Sequence, residues 1–306
     1  MTDLIAALDI GGTKTQLIIE TTDGKRLVDV TEPSLDWEAE PAHISAPWIA
    51  ERVAKHTPAG GRIVAVAFGA QGIDRPETAH HIEAELLKLG HTATAVNDAS
   101  LLIAAACFTE GIGVIAGTGA IAVGADASGR FMAAGGWGWV IGDDGGASAL
   151  VREATKAALF ANDSGLADDG LLSAMIRDFG VADAERLTRK VNDEPTMDNW
   201  APHAPAVFAA ADAGSALAQR VIEDGAKALA ANVGQLRRRG AVGTDVVVAG
   251  SVIVNQKRLL DAFIAALREI DGGLRVHVLS GAPVEGAVQI ARRGLAPASG
   301  GRTLGR

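Results

Sequence analysis

The apolar positions of the chain fall into short blocks separated by glycine-rich and polar turns. Residues 4–9 form an apolar run of strand length, and residues 16–20 and 26–30 read as two more strands, the last pair divided by Asp23-Gly24. Strand, tight turn, strand, hairpin, strand is an antiparallel opening. A helical pattern at 46–55 follows, then an apolar strand at 63–68 ending in Gly69, a helix at 77–89, a strand at 93–96 and a helix at 98–108. Here strand and helix alternate, which predicts strands parallel to one another.

A similar opening recurs from Gly111. Residues 112–116 read as a strand, Gly117-Thr118-Gly119 as a turn, 121–125 as a strand, 126–129 as a turn and 130–133 as a third strand. Helical periodicity then dominates from 146 to 239, with breaks at 162–165, at Gly180 and at 192–195. A late strand at 245–249 runs into Gly250-Ser251, followed by a helix at 256–270, a strand at 274–279 and a last helix at 284–293. The pattern predicts an α/β protein made of two copies of β-β-β-α-β-α-β-α, the second with a large helical insertion. The first lobe is expected over 1–109 and the second over 110–306, with the last helix free to return to the first.

Composition narrows the function. The chain has 306 residues, 48% hydrophobic and 21% charged, which suits a folded protein with a sizeable core. Its net charge of −9 argues against a nucleic-acid partner, and the short runs Arg237-Arg238-Arg239 and Arg292-Arg293 read as solvated helix faces. The single cysteine, Cys107, excludes an intramolecular disulfide or a thiolate metal cluster, and its apolar surroundings in sequence predict a small core residue. The seven histidines show no metal-binding spacing, and His80-His81 is expected at the surface. The start of the chain does not read as a signal peptide. The longest charge-free stretch, 15 residues between Glu110 and Asp126 with five glycines, is too short for a membrane span. A cytoplasmic protein is the expectation.

Glycine makes up 37 of the 306 residues and clusters at the turns. In Asp9-Ile10-Gly11-Gly12-Thr13-Lys14 a carboxylate ends a strand, and two residues without side chains allow backbone N–H groups to approach an anion. Thr13 adds a hydroxyl and Lys14 a cation. A purely structural turn would use the same glycines. Gly117-Thr118-Gly119 repeats the chemistry in the second copy, and two such hairpins could clamp the phosphates of a nucleotide. Asp98 ends a parallel strand and opens a helix, at the sheet edge where open α/β folds bind ligands. The same position suits a helix N-cap, so base and cap both remain open. Asp143, beside Gly142 and just before a helix, has the same ambiguity. Trp137 and Trp139 lie two apart and face one way if the segment is extended.

These glycine turns, with Gly250-Ser251-Val252, resemble the two phosphate motifs and the adenosine motif of the sugar kinase, actin and Hsp70 ATPase superfamily. The resemblance spans essentially the whole chain and implies an actin-like, ribonuclease H-like duplicated fold with a cleft between two lobes. Residues 135–145, Gly-Gly-Trp-Gly-Trp-Val-Ile-Gly-Asp-Asp-Gly, look like a segment of the N-acetylglucosamine kinases grouped with the BadF/BadG/BcrA/BcrD-type ATPases. Val96-Asn97-Asp98-Ala99 is similar to the stretch whose aspartate takes the proton from the sugar hydroxyl in that family.

The resemblance implies an ATP-dependent kinase of an amino sugar, N-acetylglucosamine or glucosamine, acting at the 6-hydroxyl with Asp98 as base. Gly11, Gly12, Thr13, Lys14, Gly117, Thr118 and Gly119 would hold the phosphates, Gly250 and Ser251 the adenosine, and Asp9 a hydrated Mg²⁺. Asp36, Trp37, Gly136, Asp143 and Ala147 would form the sugar site, although the match at Ser34-Leu35-Asp36-Trp37 is loose in its letters. Either Trp137 or Trp139 would stack on the sugar or pack in a hinge. A homodimer is the family expectation. The chain departs from the family pattern at Ala120-Ile121, where hydroxyl and polar residues are usual, and at Asp144-Gly145-Gly146. DIGGTK reads equally well among the sugar kinases that include repressors. Those carry a zinc-binding histidine and cysteine-rich segment, which Cys107 alone cannot form, and their repressors have a DNA-binding domain for which there is no room before Leu4. An iron–sulfur-coupled ATPase would need more cysteines, and a non-catalytic sugar or nucleotide sensor would not require Asp98 and Asp9.

Overall fold

A computed structural model describes residues 1–12 and 14–295. Thr13 and residues 296–306 lie outside the described residues, so the expected phosphate ligand at Thr13 lies outside them too. The chain divides into two compact units. One comprises Met1–Thr109 together with the segment from Leu279, the other Glu110–Val278.

The first unit opens with β1 (Thr2–Ile10), β2 (Lys14–Thr21) and β3 (Arg26–Pro33), followed by α1 (Ala42–His56), β4 (Gly61–Ala70), α2 (Pro76–Lys88) and β5 (Ala93–Asn97). A single 3₁₀ turn over Asp98–Ser100 leads into the short α3 (Leu101–Ala105). The sheet order is β3-β2-β1-β4-β5, with β1, β2 and β3 antiparallel and β4 and β5 parallel to β1. Central β1 buries its run from Leu4 to Leu8, as a strand covered on both faces must, whereas edge strand β3 alternates exposed and half-buried positions along most of its length. Register pairs Ile10 with Ala70 and Ala70 with Asn97, so β1, β4 and β5 end at one edge. That edge carries Asp9, Gln71 and Asp98.

The predicted helix over 98–108 stops at Ala105, because Cys107 takes a left-handed conformation (φ +65°) while the Phe108 N–H bonds back to the Ile103 carbonyl. Cys107 is exposed, which corrects its assignment to the core.

The second unit repeats the plan with β6 (Ile112–Ala116), β7 (Ala120–Ala125) and β8 (Phe131–Gly135). Six helices follow: α4 (Ala147–Asp163), α5 (Leu171–Asp178), α6 (Ala184–Asp193), α7 (Met197–Trp200), α8 (Ala204–Asp212) and α9 (Ala216–Arg238). Then come β9 (Asp245–Ala249), α10 (Ser251–Asn255), α11 (Lys257–Ile270) and β10 (Arg275–Val278). Its sheet order, β10-β9-β6-β7-β8, is that of the first sheet read from the other edge. The core helix α9 buries Val221, Ile222, Ala226, Leu229, Ala230, Val233 and Leu236, the helical stripe that joins it to the large apolar cluster of this unit. One break in the helical region, at 213–215, lacks a strong sequence signal. There Gly214 has φ +102°, and Ser215 caps α9 by accepting the Ala218 N–H at 3.0 Å.

The last helix, α12 (Val284–Leu295), packs on β1, β4 and α3 within the first unit. A Cβ at Gly286 would lie 2.1 Å from the Leu101 carbonyl oxygen, so α12 and α3 touch backbone to backbone. Arg292 reaches the buried Glu20 carboxylate at 2.5 Å, and Arg26 bonds Glu285 through two N–H groups at 2.7 and 2.8 Å. Arg237 likewise donates to the Ala241 and Gly243 carbonyls and Arg239 to the Ala133 carbonyl. The runs, exposed at Arg238, Arg239 and Arg293, thus also make structural contacts: Arg237 and Arg239 donate to backbone carbonyls and Arg292 forms an ion pair with a buried carboxylate. Among the described residues no helix is long and apolar enough to cross a membrane.

Candidate active site

In the first unit the Gly11 N–H bonds the Lys14 carbonyl at 3.0 Å, closing the β1–β2 hairpin. A Cβ at Gly12 would stand 2.5 Å from Gln71 Oε1, so the end of the Gln71 side chain lies close over the hairpin backbone. The Gln71 N–H bonds the Ile10 carbonyl at 2.9 Å, and the Gln71 carbonyl accepts the Trp37 indole N–H at 3.1 Å. Trp37 packs on Trp48 with ring centroids 4.9 Å apart, and Arg52 lies over the Trp48 ring. Asp36, exposed and left-handed at φ +58°, is thus carried on a loop tied to the β1–β2 hairpin through Gln71. Ser34, in the same stretch, is buried and bonds Thr15 at 2.7 Å. That hydrogen bond serves the sheet.

Asp98 stands at the end of β5, with its backbone free to enter the turn because Gly69 faces it: a Cβ there would be 3.0 Å from Asp98 Cα and 2.4 Å from Leu101 Cγ. The helix cap is Asn97, not Asp98 alone. Asn97 Oδ1 accepts the Ala99 N–H at 3.0 Å while Asp98 Oδ1 shares it at 2.9 Å. Asn97 Nδ2 in turn donates to Asp74 Oδ1 at 2.9 Å. Burial, and then the charge of Asp74, hold the Asp98 carboxyl above its ordinary value despite the Ala99 hydrogen bond. Asp9 is pushed up to about 6 by burial and by Asp98, with Lys14 opposing. The charge of Asp98 acting on the half-buried Asp9 creates a local demand for positive charge.

In the second unit the Gly117 N–H bonds the Gly119 carbonyl at 2.9 Å. The first turn of α4 holds this hairpin from behind: the Ala147 N–H bonds the Gly117 carbonyl at 2.8 Å and the Ser148 N–H the Thr118 carbonyl at 3.3 Å. Asp143, left-handed at φ +56°, accepts the Gly138 N–H at 3.1 Å and the Ala120 N–H, and a Cβ on Gly119 would strike its Oδ2 at 2.5 Å. Its carboxyl is raised by burial against the pull of these amides. Asp143 does not cap α4, whose N-cap is Gly146.

The two departures from the family pattern have local reasons. Ala120 contributes its backbone N–H, which any residue supplies. Gly145 (φ +89°) lets Gly225 of α9 approach, and a Cβ on Gly146 would lie 2.7 Å from the Gly119 carbonyl carbon. Asp144 pairs with Arg152 at 2.7 Å, and Arg152 also donates to the Gly142 and Trp139 carbonyls, fixing the turn that carries Asp143. Sequence spacing gave no sign of Arg152.

Trp137 and Trp139 do not share an extended face, because the Ile141 and Gly142 N–H groups fold back onto the Gly138 carbonyl. Trp139 packs on Trp200 at 4.7 Å, whereas Trp137 is 77% exposed. Gly136 (φ +73°) lies against Ile121, where a Cβ would meet Ile121 Cδ1 at 2.8 Å. Gly250 (φ +101°) sits so near Ala116 that a Cβ would be 2.4 Å from its carbonyl oxygen. Ser251 opens α10. Thr118, Ala147 and Ser251 line one cavity of about 510 Å³ with Met197, Asp198 and Asn255. Two residues assigned to the nucleotide thus come together with Ala147, assigned to the sugar.

The repeated sheet with glycine hairpins at corresponding strand ends is the fold of the sugar kinase, actin and Hsp70 ATPases. The chain matches the BadF/BadG/BcrA/BcrD ATPase family over residues 7–291 and belongs to it. It is 30% identical over 300 residues to the N-acetylmuramic acid/N-acetylglucosamine kinase of Clostridium acetobutylicum, covering 94% of this chain and 98% of that one. It is 24% identical over 248 residues to the N-acetyl-D-glucosamine kinase of Dictyostelium discoideum, covering 74% and 77%. A crystal structure from Chromobacterium violaceum, provisionally assigned as an N-acetylglucosamine kinase, shares the fold with a TM-score of 0.67 at 21% identity, over 94% of this chain and 98% of that one.

Proposed function

We propose that this protein transfers the terminal phosphoryl group of ATP to the 6-hydroxyl of an amino sugar, N-acetylglucosamine or glucosamine. The observation that carries the reading is Asp98: a half-buried carboxylate at the sheet edge, relieved of part of its capping duty by Asn97 and held above its ordinary value. Such a group suits general-base work, because its raised proton affinity favours taking a proton from the attacking hydroxyl. Phosphoryl transfer asks little else of the protein beyond positioning and charge stabilisation.

The hairpins at Gly11–Lys14 and Gly117–Gly119 present glycine backbone for the phosphates, with Lys14 adding a cation. The cavity beside Ser251 takes the nucleoside. Asp36, Trp37, Gly136, Asp143 and Ala147 serve the sugar, and Asp143 does so while already accepting two amides. The half-buried Asp9 carboxylate, whose proton affinity is raised by burial and by the charge of Asp98, fits a divalent cation; held by one protein carboxylate, the ion would keep several of its waters, as Mg²⁺ does. Asp9 is the group that would hold hydrated Mg²⁺, which supplies charge neutralisation on the phosphates when bound.

The test is ADP release from Mg²⁺-ATP with N-acetylglucosamine, glucosamine, N-acetylmannosamine and glucose against a sugar-free blank, with NMR of the product. A 6-phosphate of an amino sugar is the expected product. A product phosphorylated elsewhere corrects the position, and equal ADP release in the blank overturns the kinase reading.

A further inference from the structure

We propose that Asp74 is a positioning residue for Asp98, orienting the Asn97 side-chain amide so that Asn97 takes its share of the cap. The proposal rests on the reading of Asp98 as the base. An asparagine amide has a donor end and an acceptor end, and rotating it by half a turn exchanges them. Only the acceptor end can cap. Asn97 is 9% exposed and its bond to the Ala99 N–H is buried, so water is a poor substitute partner at the capping end, whereas the Asp74 end borders solvent.

The carboxylate of Asp74 settles the orientation. It only accepts, and it takes the Asn97 Nδ2–H at 2.9 Å, which leaves Oδ1 to receive the Ala99 N–H at 3.0 Å. The flipped amide would set an oxygen against the Asp74 carboxylate and two donors against each other at Ala99, both repulsive. Without Asp74 that penalty disappears on one side, and the Ala99 amide depends on Asp98 Oδ1, its other partner at 2.9 Å. A carboxylate drawn fully into a cap has a fixed rotamer and a lowered proton affinity. Asp74 therefore keeps Asp98 available without touching the reacting atoms.

Four variants test this: Asp74→Ala, Asp74→Asn, Asn97→Ser and the double variant Asp74→Ala/Asn97→Ser. Asp74→Ala is expected to lower kcat roughly tenfold with both KM values within about twofold. Asp74→Asn keeps a carbonyl that can accept from Asn97 Nδ2, so kcat stays within about threefold of the parent. The serine introduced by Asn97→Ser would cap through a hydroxyl that needs no anchor, so Asp74→Ala has no further effect in that background. A fall in Asp74→Asn as deep as in Asp74→Ala overturns the proposal in favour of a charge effect. A raised sugar KM in Asp74→Ala overturns it in favour of direct substrate contact, and a full loss in the double variant overturns the amide as the link. The ¹⁵N-resolved Ala99 amide gives a readout without turnover: it shifts in Asp74→Ala and not in Asp74→Asn. If the parent phosphorylates no sugar, the kinase reading fails while the Ala99 signal still decides the role of Asp74.

Discussion

A base for a sugar hydroxyl must be near enough to water's reach to lose its proton again, yet buried enough to want one. Asp98 meets both conditions through its place at the end of β5, and Asp98→Asn is expected to reduce kcat by at least about 100-fold while ATP binding persists. Retention of more than a few per cent of the parent rate would remove Asp98 from that role. Asp9 gives a second, pH-dependent prediction. The folded carboxyl titrates near 6 and the unfolded one near 3.8, so between these values the folded chain binds more protons. Stability therefore falls as pH rises from about 4 to about 6 and levels above it. Asp9→Asn should be more stable than the parent by about 2 kcal/mol at pH 7.5, a figure discounted for the residue's partial exposure, and equal to it near pH 4. Denaturant titrations at the two pH values check this; a difference independent of pH sinks it. Residue identity at Asp9, Asp98 and the glycines was readable from the sequence because each marks a strand end. The roles of Asn97 and Asp74 were not, since which end of an amide caps a turn depends on a partner 23 residues away.

At the scale of elements, hydrophobic period and glycine punctuation gave the strand and helix order through both copies. They failed where tertiary packing decides: α3 ends early, at Ala105, and the 137–142 segment folds into a turn. They failed again for the arginines, whose partners lie far away in sequence. Arg292→Met would leave the buried Glu20 carboxylate, among the described residues, with Arg26 alone, 3.6 Å away, and should cost about 3 kcal/mol in urea unfolding, with Arg292→Lys recovering part of it. Gly286→Ala forces α12 away from α3, because both contacting groups are backbone and cannot rotate aside. A loss of about 2 kcal/mol is expected, accompanied by a lower kcat as the turn bearing Asp98 follows α3. Unchanged kcat in a destabilised Gly286→Ala would show that α12 supports the fold without reaching the site.

For the whole molecule, the duplicated plan was legible because the second copy repeats the turn chemistry of the first. The ownership of the last helix was left open by the sequence, since an amphipathic stripe does not say which core it covers. In the structure Val284, Ala287, Val288 and Ala291 share a cluster with Ile5, Ala7 and Ala67. Stopping the chain at Val278 should expose that face while leaving the second unit its own core. Hydrogen exchange should then show β1 and β4 unprotected and β6 and β9 protected; equal protection in both would contradict the division.

The same helix sets an order of events during synthesis. The second unit is one continuous stretch and can fold as soon as Val278 clears the ribosome, whereas the first, although made earlier, lacks a covering layer until the final turns of α12 emerge. Until then the half that carries Asp9 and Asp98 is a nascent chain with one face of its sheet uncovered. Its window of vulnerability to aggregation and to proteases closes only once α12 has emerged and docked.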